Sequence, residues 1–90
     1  MGFKIGTLVV SCTGSDKERI LAVIGVSDSH LILADGRKRR LEKPKQKKVK
    51  HIRLLNKSLS CETVELLQKG KLTNKLLYRS IKQSLDEVEP

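Results

Sequence analysis

The sequence predicts a mainly β domain with added α-helix. Five short strands over residues 1–57 curl into a small barrel or a strongly bent sheet, and a helical segment over residues 58–90 packs on or beside it. Two observations lead there. Ten of the thirteen Ile and Val fall in residues 1–57, whereas half of the fourteen Leu fall in the last 33 residues. β-Branched side chains favour strands and Leu favours helices. Clusters of Gly, Ser and Asp also punctuate the first half at short intervals, and from Ser58 onward the apolar spacing changes to three and four residues.

The first strand is expected over Ile5 to Cys12, and Thr13-Gly14-Ser15-Asp16 supplies the turn after it. The second runs from about Arg19 to Val26 through Ile20, Leu21, Ala22, Val23 and Ile24. Ser27-Asp28-Ser29 turns into a third strand, His30 to Ala34. Asp35-Gly36 is a hairpin signal, because type I′ turns need positive φ. It places a fourth strand over Arg37 to Leu41, ended by Pro44, which cannot donate to a ladder. The fifth, Lys48 to Leu55, alternates Lys48, Lys50 and Arg53 with Val49, Ile52 and Leu54. A flat sheet would leave one face wet, and the second strand is too continuously apolar for that. Closure would also remove exposed edges.

Ser58 or Ser60 can cap the first helix, with Glu62 and Glu65 in its opening turns, where the macrodipole favours acids. Cys61, Val64 and Leu67 recur on one face, and Gly70 stops the helix. Thr73 or Asn74 caps the second, along which Leu77, Ile81, Leu85 and Val88 form an apolar stripe. Helices this short need a surface to pack on, so a helical hairpin is expected, packed against the strands or helix against helix. Cys12 and Cys61 sit inside apolar patterns and read as small hydrophobes. Two distant cysteines make no disulfide framework, and reduced thiols fit a cytoplasmic protein.

The charge is the most informative feature. The chain carries 19 Lys+Arg against 10 Asp+Glu, a formal +9. Residues 1–36 are net −1 and residues 58–90 net 0, so the whole excess lies in residues 37–57, with eleven basic residues and one acid, Glu42. Such a band fits a polyanion, through phosphate neutralisation and counterion release. The candidate contacts are Arg37, Lys38, Arg39, Arg40, Lys43, Lys45, Lys47, Lys48, Lys50, His51 and Arg53, with Lys17 and Arg19 as a second contact. A solvated loop is the plainer alternative. Leu41, Val49, Ile52, Leu54 and Leu55 interrupt the band at strand-like spacing and would tether it to a core. An anionic membrane surface fits less well, since no large apolar helical face accompanies the lysines.

The segment Gly6, Val9-Val10, Ser11-x-x-Gly14, Asp16-Lys17, Arg19 and Val23-Ile24 resembles the KOW motif, which opens small SH3-like barrels in ribosomal proteins and transcription elongation factors. The longer stretch from Ala34-Asp35-Gly36 through Leu41-Glu42-Lys43-Pro44-Lys45 to Lys47-Lys48-Val49-Lys50-His51 looks like a bacterial group of short KOW-domain RNA-binding proteins. So does Gly70-Lys71-Leu72-Thr73-Asn74 before the last helix. These proteins are themselves similar to KOW-domain proteins of the archaeal and eukaryotic large ribosomal subunit. The resemblance spans Gly6 to about Leu85. It implies an SH3-like, KOW-type barrel that binds structured RNA such as ribosomal RNA, with ribosomal proteins as possible neighbours and a monomer off the ribosome. One position departs: the pattern has glycine after the loop's basic residue, and here Glu18 follows Lys17. That shifts the expected main contact to residues 37–53.

Other functions find little support. The chain has two aromatics, Phe3 and Tyr78, neither in the basic band, so base stacking is not expected and backbone contact is. Cys12, His30, His51 and Cys61 lack the close pairs of a zinc site, so neither metal nor other cofactor is expected. His51 reads as a phosphate or 2′-hydroxyl contact, or as a solvated side chain. The acids Asp16, Glu18, Asp28 and Asp35 fall in turns, where capping accounts for them. No phosphate-cradling or dinucleotide motif is present, and the chain reads as a non-enzyme without a small-molecule substrate. No apolar run reaches membrane-spanning length, and Met1-Gly2-Phe3-Lys4 does not open a secretory signal. Charge alone also permits a DNA-associated or transcription-linked binder, and the neutral tail permits a protein-interaction adaptor.

Overall fold

A computed structural model describes residues 3–14 and 17–86 of the protein. Among the described residues the elements are β1 (Thr7–Ser11), β2 (Ile20–Val26), β3 (His30–Ala34), β4 (Lys45–Lys48), a 3-10 turn (Val49–His51), β5 (Ile52–Ser58), α1 (Cys61–Gln68) and α2 (Asn74–Leu85). The five strands form one antiparallel sheet in the order β4-β3-β2-β1-β5.

This order forces curvature. β4 and β5 lie on opposite edges, which in a flat sheet would be about 19 Å apart, four spacings of about 4.8 Å. Yet only the 3-10 turn joins them, and the steps from Lys48 to Ile52 span about 14 Å at most. The sheet therefore bends strongly round. It is not closed, because β4 and β5 do not pair with each other. The expected barrel is corrected to a curled open sheet. Register irregularities lie between Thr7 and Val9 on β1 against β5, where Asn56 takes a φ of 61°, and between Val23 and Gly25 on β2 against β3. Bulges of this kind increase local twist and bending.

Apolar alternation on the central strands feeds two cores. Val9, Leu21, Val23, Leu31 and Leu33 pack on one face, together with Phe3, Val49 and Ile52. Leu8, Ala22 and Ala34 face the other way and meet Leu59, Leu77 and Ile81 from the helical segment. Both faces of β2 are thus covered, which accounts for its unbroken apolar run. Ala22 and Ala34 stand opposite each other across β2 and β3, and their small side chains let the helical layer approach closely.

The helix ends follow local rules. Ser60 accepts from the Thr63 N–H at 3.2 Å, and Thr73 from the Leu76 N–H at 3.2 Å. Gly70 adopts φ 73°, with its N–H on Leu67 O and the Lys71 N–H on Leu66 O, a Schellman closure. The buried hydroxyls of Thr63 and Ser80, 2.8 Å apart, link α1 to α2 and satisfy each other. Ser84 Oγ donates to Ser58 O at 3.0 Å, tying α2 to the end of β5. Leu77 and Ile81 are buried as their stripe predicts, while Val88 lies outside the described residues.

Several expectations change. β3 keeps its expected bounds, β1 is shorter than Ile5 to Cys12, and β5 starts and ends later than Lys48 to Leu55. No strand occupies Arg37 to Leu41; the fourth strand is β4, and Pro44 precedes it rather than ending a strand. Cys12 and Cys61 are exposed rather than buried. Each sits at the end of its element, one just past β1 and one in the first turn of α1, off the packed faces.

Candidate nucleic-acid interface

Most of the basic band falls into two regions joined by the β1–β2 loop, and Arg53 and Lys57 lie apart on β5. The first is the 35–44 loop. Asp35 is buried, and its Oδ1 accepts from the Arg37 N–H at 2.8 Å and the Arg39 N–H at 2.9 Å. This is the Asx chemistry that aspartate offers a turn. The Asp35 and Gly36 N–H groups both donate to Arg39 O, closing the loop on itself. Gly36 takes the positive φ that Asp-Gly predicts, at 83°, but the chain does not return as a hairpin strand. It runs against α2 instead, where a Cβ on Gly36 would stand 2.2 Å from Asn74 O.

Asn74 holds the loop's far side. Its Oδ1 accepts from the Leu41 N–H at 2.7 Å, and its Nδ2 donates to Glu42 Oε1 at 2.8 Å. That amide contact, the residue's own backbone N–H and the neighbouring Arg40 together hold the Glu42 carboxyl below the ordinary glutamate value. Because the folded loop favours the charged form, its stabilisation is complete at neutral pH and is lost as pH falls through the lowered value. Arg37 lies over the Tyr78 ring, 4.6 Å from the centroid, and its Nη1 donates to the Tyr78 hydroxyl at 3.1 Å. Lys38 and Arg40 are exposed beside it, and Arg40 pairs with Glu42 at 3.1 Å on the open surface.

The second region is the β4 edge with the 3-10 turn. Lys45, Lys48, Lys50, His30 and His51 line a shallow concavity of about 270 Å³ with Gln46 and Lys47. His30 stands opposite Lys48 in the β3–β4 register, which brings it into this group. Lys47 is different. It is opposite Leu31 and only 8% exposed, and its Nζ donates to Thr13 O and to Thr13 Oγ1. Its ammonium anchors the β1–β2 loop from within, where the sequence placed it among the phosphate contacts.

The β1–β2 loop bridges the two regions. Thr13 is held by Lys47, and Arg19 faces the Asp35 carboxylate at 4.0 Å. Lys17 is exposed between these ties, and Asp16 lies outside the described residues. Glu18 adopts φ 66°, a conformation in which glycine carries no Cβ penalty. Its N–H donates to Ser11 O at 2.7 Å. Arg53 is exposed on β5 opposite Val10, and Lys43 is exposed at the end of the 35–44 loop. Arg39 is half-buried.

The structure therefore brings Arg19, Arg37, Lys38 and Arg40 together, and separately groups Lys45, Lys48, Lys50 and His51, while Lys17 is exposed on the β1–β2 loop. Sequence reasoning missed Tyr78, Asp35, Asn74 and His30 as members of these sites. Asp35-x-Arg37-x-Arg39 carried an Asx-turn signal that the hairpin reading overrode; Tyr78, 41 residues from Arg37, carried no local signal. Among the described residues, no group of three His, Cys, Asp or Glu could hold a metal ion, and no helix is long and apolar enough to cross a membrane. No family model matches the chain, and no curated protein matches it.

Proposed function

We propose that the protein is a non-catalytic RNA-binding protein of the KOW type, gripping structured RNA through its phosphate backbone. The observation that carries this reading is the placement of the +10 band. Eight of its eleven cations are exposed, and six of these, Arg37, Lys38, Arg40, Lys43, Lys48 and Lys50, are mounted on two regions that the β1–β2 loop ties to each other. Clustered cations on a fixed scaffold neutralise consecutive phosphates, which sets register and orientation without reading sequence. The strongly curled five-stranded sheet supports an SH3-like reading, and the motif resemblance in residues 6–24 favours RNA over DNA. Ribosomal RNA and a ribosome-associated role follow from the same resemblance, and a cytoplasmic location from the reading of the two cysteines as reduced thiols.

The test is a titration of a structured ribosomal RNA fragment at several salt concentrations, with duplex DNA as competitor. If about six phosphates are neutralised, log K falls against log[salt] with a slope between about −4 and −5. The triple change Arg37→Ala, Lys38→Ala and Arg40→Ala weakens binding to every RNA tested while the fold survives. Salt-independent binding would overturn the reading, and equal affinity for duplex DNA would move it to the DNA-associated class.

A further inference from the structure

An open cleft of about 570 Å³ lies between the 35–44 loop and α2, lined by Arg19, Asp35, Gly36, Arg37, Lys38, Arg40 and Tyr78. Four cations converge there around one acid. That acid does not neutralise the outer three: Asp35 Oδ1 is occupied by two backbone N–H groups, and Oδ2 faces Arg19. Arg40 pairs with Glu42, but their side chains are 61% and 62% exposed, so an incoming anion can displace the pair at little cost. The cleft is thus strongly cationic toward a ligand, at a volume typical of small-molecule sites.

The Arg37–Tyr78 pair makes this cleft unlike the lysine edge. Stacking on the ring and the bond to the hydroxyl fix the guanidinium plane before any ligand arrives. Lys82 Nζ lies 5.7 Å from the same ring centroid. A guanidinium held in one plane presents its donors as a fork that matches phosphate oxygens, and little further entropy is lost on binding.

We propose that this cleft is a discrete phosphate-ester site, with Arg37 as its fork, Lys38 and Arg40 as flanking charges, and Tyr78 as a positioning residue that acts through Arg37. The phosphate ester comes either from a free nucleotide or from the RNA backbone. In the second case the inference deepens the RNA-binding reading and rests on it; in the first it stands alone.

The experiment follows amide chemical shifts of the full chain during titration with adenosine 5′-monophosphate, with inorganic phosphate, and with the structured RNA fragment. Saturable shifts at Arg37, Lys38, Arg40 and Tyr78, without matching shifts at His30, Lys48 and Lys50, are expected for at least one ester. A response to adenosine 5′-monophosphate identifies a nucleotide site; a response to the RNA alone identifies a backbone subsite. Arg37→Ala weakens the responding ester about tenfold. Tyr78→Leu weakens it about threefold and Tyr78→Phe less, and the Tyr78→Leu loss largely vanishes in the Arg37→Ala background. Thermal unfolding of each variant checks the fold. RNA binding that shifts only the lysine edge overturns the cleft and leaves the proposed function standing. Nucleotide binding in the cleft without RNA binding does the reverse. A full, additive Tyr78→Leu loss on top of Arg37→Ala overturns the positioning role.

Discussion

The 35–44 loop and the β4 edge carry similar charge by different means. The loop holds Arg37, Arg39 and Arg40 among its five cations, whereas every cation from Lys45 to Lys50 is a lysine. The loop is organised by a buried aspartate, an asparagine from α2 and an aromatic ring. The edge presents lysines from a short outer strand, and its one buried lysine is spent on the neighbouring loop. Arginine on a fixed plane gives directional, paired hydrogen bonds, while lysine gives a hydrated point charge on a flexible stem. Under the proposed RNA-binding function, the difference separates two jobs that net charge alone merges: the loop would orient a phosphate, and the edge would supply counterion release. Lysines on β4 also blunt an otherwise open sheet edge.

The largest expected effect comes from removing the loop's seat on α2. Gly36→Ala would force a Cβ against Asn74 O at a positive φ, and should cost about 2 kcal/mol, or roughly 10 °C in Tm for a domain this size. An unchanged melting temperature would show that the loop is not seated there. Next comes the division of labour on RNA. Lys45→Ala, Lys48→Ala and Lys50→Ala together should flatten the salt slope by about 2 to 3 units. Arg37→Lys, which keeps its charge, should lower affinity at an almost unchanged slope. If both variants flatten the slope alike, the two regions act alike and the comparison breaks. The smallest effect is at the bridge: Glu18→Gly relieves a left-handed backbone and should stabilise the chain by about 0.5 kcal/mol in thermal melts.

What was legible in the sequence follows the range of the interactions. β1, β2 and β3 were readable because their apolar runs end in turns made by adjacent residues. The helix starts were readable to Ser58 or Ser60 and to Thr73 or Asn74, of which the structure uses Ser60 and Thr73, and the Gly70 closure was readable outright, because each bond spans only a few positions. The misplaced fourth strand shows the limit. Asp35-Gly36 does form a tight turn with positive φ, but its exit direction is decided by Asn74, 33 residues from Leu41. Glu18 takes a left-handed φ of 66°, which its residue type gives no reason to expect.

By itself the sequence determined the division into a strand-rich first part and a helical second part, the neighbourhood of each helix cap, and the concentration of all excess charge in residues 37–57. These depend on composition and on bonds between near neighbours, which a linear reading contains. Only the tertiary structure decided that the sheet curls without closing, that Lys47 turns inward, and that Tyr78 joins the basic loop. Each of these is set by which distant surfaces share a core, and so by packing that no local pattern encodes.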